Sequence, residues 1–119
     1  MAIYLNRAGF DFAQELIAEG KIDADHSDNW EAKKPDAAAE QRFVEEYGYD
    51  SYGKWHLGIN TDDGPQTRDA YSLPIGNFRK VVRSALLSAV AKAQADGHAD
   101  IRDAADLLIG IIDDVEQQS

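Results

Sequence analysis

Residues 71–112 read YSLPIGNFRKVVRSALLSAVAKAQADGHADIRDAADLLIGII, and the rest of the fold can be inferred outward from them. Apolar side chains recur at steps of three and four through residues 77–96 and again through residues 100–115, which is the spacing of amphipathic helices. Asn77 would cap the first helix, and Gly97 would end it because glycine readily adopts the left-handed conformation found at helix ends. The connection is short, so we expect the two helices to form an antiparallel αα-hairpin.

Two more helices are predicted on the N-terminal side. Residues 7–19 have helical spacing of apolar side chains and follow Asn6, whose side chain can accept hydrogen bonds from the free amides of a first turn. Residues 36–47 follow Pro35, which suits a helix entrance. Gly48 is expected to end this second helix.

The segment between these helices and the C-terminal pair is rich in aromatic and turn-forming residues. Residues 54–59 and 70–75 have the composition of strands, and the connection between them is polar. Pro74 must end the second strand or lie on its free edge, because it cannot donate a backbone hydrogen bond. We therefore predict a single mainly α domain over residues 1–119, with four helices, including the αα-hairpin, and a small two-stranded β-ribbon.

The composition narrows the classes of function. The chain has 22 acidic and 12 basic residues, a net charge of −10 and no cysteine. Such a charge repels nucleic acid and anionic lipid, and the lack of cysteine excludes disulfides and thiolate chemistry. The first residues lack the basic and apolar segments of a signal peptide, and the longest apolar run, residues 107–112, is far shorter than a membrane span. We expect a cytoplasmic protein without membrane association, direct nucleic-acid binding or a cofactor.

Motifs for metals, nucleotides and nucleophilic catalysis are not found in the sequence. His26, His56 and His98 are too far apart to share a helix face, so no metal site is predicted. Residues 60–64 hint at a calcium loop, but the glycine comes one place early and no glutamate closes the loop. A structural role is favoured for His98 beside the carbonyl groups that end the preceding helix, and an orienting hydrogen bond for His56.

The basic residues Arg79, Lys80 and Arg83 cluster at the predicted start of the long helix. Free backbone amides there could help these side chains to hold a phosphate or a carboxylate. We favour pairing with the chain's own carboxylates over anion binding, because the protein is so acidic. The candidate ligand-binding residues, drawn from this cluster and from the aromatic segment before it, are Trp55, His56, Tyr71, Arg79, Lys80 and Arg83.

The runs YGKWHLGI, YSLPIGNFRKVVRSALLSA and HADIRDAADLL together resemble a family of small uncharacterised bacterial proteins. The most specific parts are WHLG at residues 55–58 and the pattern Y-x-x-P-x-G-x-F at residues 71–78, and the resemblance covers residues 6–113. It implies a stand-alone cytosolic protein and brings no assigned activity. The chain departs from the family pattern at Val82, where a histidine is expected, which argues against a catalytic pair of that histidine with Arg83.

Three functional hypotheses follow from the sequence. We rank first a small acidic interaction or accessory module with a protein partner, because the chain is acidic and lacks catalytic motifs. It also has an aromatic loop, with Tyr49, Tyr52 and Trp55, that we expect to be exposed. The second is a binder of, or an enzyme acting on, a small anionic ligand held by the basic cluster, with His56 as the acid–base group. The third is a nucleic-acid mimic. The sequence favours a protein that is not an enzyme, and it does not indicate the oligomeric state.

Overall fold

The computed structural model describes residues 3–26, 29–62, 64 and 66–117. The described part is mainly helical, with two small sheets. Its elements in chain order are β1 (Ile3–Leu5), α1 (Arg7–Ala18), β2 (Ile22–Asp23), α2 (Trp30–Lys33), α3 (Ala37–Gly53), β3 (His56–Asn60), β4 (Tyr71–Pro74), β5 (Val81–Val82), α4 (Arg83–Asp96) and α5 (Ala99–Gln117). Within the described ranges, no helix is both long and apolar enough to cross a membrane.

The larger sheet has three antiparallel strands in the order β1–β3–β4. Tyr4 lies opposite Ile59, and Gly58 lies opposite Ser72. The predicted ribbon corresponds to β3 and β4, and β1 adds a third strand that the sequence reasoning did not identify. Pro74 ends β4 on the edge of the sheet, where a residue without a backbone N–H is tolerated.

The smaller sheet corrects the predicted start of the long helix. We expected a helix from Asn77, but α4 begins at Arg83. Val81 and Val82 instead form β5, which runs parallel to β2, and the Val82 amide donates to the carbonyl oxygen of Ile75 at 2.9 Å. Two β-branched residues that fit a helical stripe also fit a strand, and the pairing with β2 favours the strand.

Two predicted caps have other roles. Asn6 makes no capping bond to α1, and its buried side-chain amide donates to the carbonyl oxygens of Gly53 and His56 at 2.9 and 3.1 Å. Asn77 accepts from the amides of the two residues after Phe78, so it stabilises a turn instead of a helix. The expected stop at Gly97 is present, with a φ of 79° at the end of α4.

The second predicted helix starts as expected and continues further. Asp36 caps α3 through a 2.8 Å bond from the Ala39 amide to its side chain. Gly48, with a φ of 85°, interrupts the helical geometry, but the chain resumes a helical path to Gly53. After this kink, the ring of Tyr52 packs against His56 of β3 and Tyr71 of β4.

One cluster of buried apolar side chains joins α1, β3, β5, α4 and α5. Ala89 and Ala93 of α4 are buried in it, and their small side chains let α4 and α5 pack closely together. Each large side chain in the cluster contributes roughly 1.5–3 kcal/mol when it is fully buried. The members with no exposed surface are Ala13, Leu57, Ile75, Val81, Leu86, Ile101, Ala105, Leu108 and Ile112.

Candidate functional site

A groove of about 760 Å³ lies between α3, the middle of α1 and the turn that precedes β5. Its volume is in the range of pockets that bind small organic molecules. The apolar part of its lining consists mainly of aromatic side chains: Phe12, Phe43, Tyr47, Trp55 and Phe78.

The aromatic side chains of the groove contact one another in a continuous chain. Phe43 and Phe78 stack with ring centroids 4.4 Å apart and planes 13° from parallel. Trp55 meets Phe78 edge to face at 5.9 Å, and Phe12 meets Trp55 in the same way at 5.2 Å. The result is an ordered aromatic wall against which a flat apolar group could pack.

Phe78 takes its place in this wall at the cost of an unusual backbone conformation. Its φ is 69°, in the left-handed region that bulky side chains rarely adopt. The surrounding turn enforces this conformation, because the Asn77 side chain accepts from the amides of Arg79 and Lys80 at 3.1 and 2.9 Å. Gly76 lets the turn close, since a Cβ there would lie 2.0 Å from the Lys80 carbonyl oxygen. Backbone strain of this kind, about 1–3 kcal/mol, often accompanies functional sites.

The strain at Phe78 can be measured with two truncations. Both Phe78→Ala and Phe78→Gly remove the ring, but only glycine adopts a φ of 69° without a steric penalty. We expect the glycine variant to be more stable than the alanine variant by about 1 kcal/mol in urea unfolding. Equal stability of the two variants, or an advantage for alanine, would show that position 78 is not held in the left-handed region.

The charge of the groove is opposite to that of the whole protein. Its described lining includes four cations, Lys33, Arg42, Lys54 and Arg79, and a single carboxylate, Glu46, in a chain with a net charge of −10.

These four cations differ in the side chains with which they interact. Lys33 Nζ pairs with two acids, Asp23 at 3.2 Å and Asp25 at 3.1 Å, and the hydrogen bond to Asp25 raises the pKa of Lys33. Lys54 Nζ lies 5.9 Å from the centroid of the Phe12 ring. Arg42 and Arg79 form no ion pair with any carboxylate in the described part of the chain. Their guanidinium groups are therefore available to an anion.

Of the six residues predicted to bind a ligand, two line the groove: Trp55 supplies part of the wall, and Arg79 follows Phe78 on the turn. Lys80 is exposed beside them but is not part of the lining. Arg83 is directed elsewhere, because its Nε and an Nη atom donate to the two Asp113 oxygens at 2.9 and 3.2 Å. The ion pairing that the sequence favoured for the basic cluster is thus observed at Arg83.

His56 and Tyr71 lie outside the groove lining. His56 is only 3% exposed, and its Nδ1 lies 2.9 Å from the Tyr52 carbonyl oxygen, so Nδ1 must donate. Burial lowers the pKa of His56 to about 4, which keeps the ring neutral near pH 7. The ring of Tyr71 lies 6.1 Å from that of His56, and burial raises the pKa of Tyr71. Because His56 is buried outside the groove lining, it is not placed to act as an acid–base group on a ligand in the groove.

The sequence reasoning missed most of the groove, although a local signal was present. Three of its cations are each adjacent in sequence to an aromatic residue of the wall, in the pairs 42–43, 54–55 and 78–79. Each pair alone is common in proteins and indicates nothing. Their convergence depends on the kink at Gly48 and on the turn before β5, which local patterns do not reveal.

Comparison of the chain with protein-family models, with curated proteins and with solved structures finds no match in any of the three. Inferences about function therefore come from the groove and from the other side chains of this chain.

Proposed function

We propose that this protein binds, in the cytoplasm, a small anionic ligand with a flat apolar or aromatic body. The observation that carries the proposal is the groove in which Arg42 and Arg79, which pair with no carboxylate among the described residues, lie beside an ordered aromatic wall. Arginine guanidinium groups suit carboxylates and phosphates because their donors match two oxygens at once. The aromatic wall would hold the rest of the ligand by stacking.

The charge distribution favours a small anion over a polyanion. The net charge of −10 repels an extended polyanion such as nucleic acid. A small anion at the guanidinium groups experiences mainly the nearby cations, because charges beyond about 8–10 Å are screened at physiological salt.

We propose binding without a chemical step. The described lining contains no histidine, and Glu46 is its single carboxylate, so the acid–base pair that most hydrolytic or transfer reactions need is not among these residues. The hypothesis of an interaction module stays a prediction, as does that of a nucleic-acid mimic. The argument for an interaction module from an exposed aromatic loop is weaker, because Tyr52 and Trp55 of that loop are buried.

Thermal unfolding with matched probes tests the proposal. We expect 1-naphthylacetate and 1-naphthyl phosphate to raise Tm by about 5 °C at roughly tenfold excess over Kd. Acetate and inorganic phosphate lack the apolar body, and 1-naphthylacetamide lacks the charge, so these three should give little or no shift.

Variants of the groove arginines test whether the ligand binds in the groove. Arg42→Gln and Arg79→Gln should each weaken 1-naphthylacetate binding by about tenfold or more, because each removes one charged donor. The matched control is Arg102→Gln, since Arg102 lies in α5, outside the groove, and pairs with Asp103 at 3.0 Å. If no probe stabilises the wild type, or if Arg102→Gln loses binding as the groove variants do, the proposal fails. An interaction module would then be the stronger hypothesis.

A further inference from the structure

The C-terminal turns of α5 carry acidic groups in an unfavourable place. Asp113, Asp114 and Glu116 lie near the negative end of the helix dipole, where cations are normally favoured. Arg83 compensates one of them through its paired bonds to Asp113.

The loop between β2 and α2 brings His26 to this cluster. One ligand atom from each of His26, Asp113 and Glu116 can be chosen so that all three lie within 4.8 Å of one another. Asp113 and Glu116 lie 87 and 90 residues after His26 in the sequence, so no local motif indicates the cluster. We propose that His26, Asp113 and Glu116 form a binding site for a divalent transition-metal cation of the Zn²⁺ class.

The geometry of the donors suits such a cation. Two ligands at metal bond lengths of about 2.0–2.2 Å in tetrahedral geometry lie roughly 3.3–3.6 Å apart. His26 Nε2 and Glu116 Oε1 are already 3.2 Å apart. Small rotations of the His26 and Glu116 side chains, which are exposed and partly exposed, would bring their ligand atoms to the Asp113 oxygen. One imidazole and two carboxylates leave one or more positions for water.

Arg83 prepares Asp113 for this role without blocking it. The hydrogen bonds from Arg83 hold the pKa of Asp113 below its ordinary value, so the carboxylate is ionised over the range in which metals bind. Each carboxylate oxygen has two lone pairs, and Arg83 uses one on each oxygen. Arg83 thus acts as a positioning residue that orients a ligand through hydrogen bonds.

The site also has room for the cation and its water. A cavity of about 230 Å³ is lined by the three donors and Gln117. A water molecule takes about 30 Å³ of liquid volume, so the cavity holds a hydrated cation without movement of the backbone. The cavity and the groove have no lining residue in common.

Titration of chelator-treated protein with ZnCl₂, CoCl₂ and MgCl₂ tests the proposal. Zn²⁺ should bind with a stoichiometry of one and raise Tm, and Co²⁺ should give visible absorption bands typical of low coordination. Mg²⁺ should do neither, because imidazole is a poor ligand for it. Zn²⁺ affinity should fall as the pH is lowered, because protons compete with the metal for its ligands.

The variants His26→Gln and Glu116→Gln should each lower Zn²⁺ affinity by about tenfold or more. Both positions are partly exposed, so folding should be retained. His98→Gln is the matched control, because it removes another partly exposed histidine that does not belong to the cluster. The proposal is overturned if Zn²⁺ does not bind, or if His26→Gln binds it as tightly as the wild type. Equal loss in His98→Gln would also overturn it, because the metal would then bind surface histidines at large.

Discussion

Gly9→Ala is expected to lower the free energy of unfolding by at least about 2 kcal/mol, although alanine is normally the better helix former. Gly9 is buried in α1, where the helix crosses β3. A Cβ at this position would lie 2.0 Å from the carbonyl oxygen of His56 and 3.3 Å from the Nδ2 atom of Asn6. The first neighbour is backbone within a sheet, so it cannot give way without moving β3 away from α1.

The same substitution at Gly110 is the control, and its effect should have the opposite sign. Gly110 lies within α5, and a Cβ there would meet no atom of the described chain within 4 Å. Gly110→Ala should therefore raise the free energy of unfolding by about 0.5–1 kcal/mol through helix propensity alone. Urea unfolding of the two variants beside the wild type measures both effects. If Gly9→Ala proves as stable as the wild type, the close approach of α1 to β3 is wrong.

Replacement of His56 by phenylalanine is expected to remove a large part of the acid sensitivity of the fold. The pKa of folded His56 is about 4, below the ordinary value of 6.5. Between these two values the unfolded chain binds a proton at His56 that the folded protein does not bind, so stability falls as the pH is lowered through this window. The loss approaches about 3 kcal/mol when the pH reaches the folded pKa, since each pKa unit corresponds to about 1.4 kcal/mol.

The phenylalanine variant isolates this effect from packing. His56 contacts the ring of Tyr52 at 4.6 Å, and a phenyl ring can keep that contact. The carbonyl oxygen of Tyr52 also accepts from the Trp55 amide at 3.2 Å, so it retains a partner when the imidazole is removed. Urea unfolding at about pH 7.5 and about pH 5 should show the wild type losing roughly 2 kcal/mol more than His56→Phe. Parallel losses in the two proteins would mean that His56 is not buried in its neutral form.

Several elements follow from short-range patterns. The predicted helices at residues 7–19 and 100–115 correspond to α1 and α5 with ends that differ by two residues or fewer. Gly97 ends α4 as expected, with its φ of 79°. Apolar spacing and glycine stops act over one or two turns of chain, so they can be recognised without knowledge of the rest of the molecule.

Other features depend on residues that are distant in sequence. Val81 and Val82 fit a helix and a strand equally well, and β2, about sixty residues earlier, selects the strand. Asparagine is a common helix cap, but the side-chain amide of Asn6 instead donates hydrogen bonds to the nearby carbonyl oxygens of Gly53 and His56. A polar side chain that is buried takes the hydrogen bonds its surroundings offer, and local propensity does not determine those surroundings.

The candidate sites show the same division. The sequence identified the basic cluster and the aromatic segment, but the fold divides the basic cluster: Arg79 lines the groove beside Trp55, and Arg83 pairs with Asp113. The groove and the His26 cluster join residues from separate elements, because packing of the apolar faces brings those elements together. Local sequence was enough for the main helices, since periodicity and capping are local. The partners of each polar side chain depended on long-range packing, which sets the distances between charges.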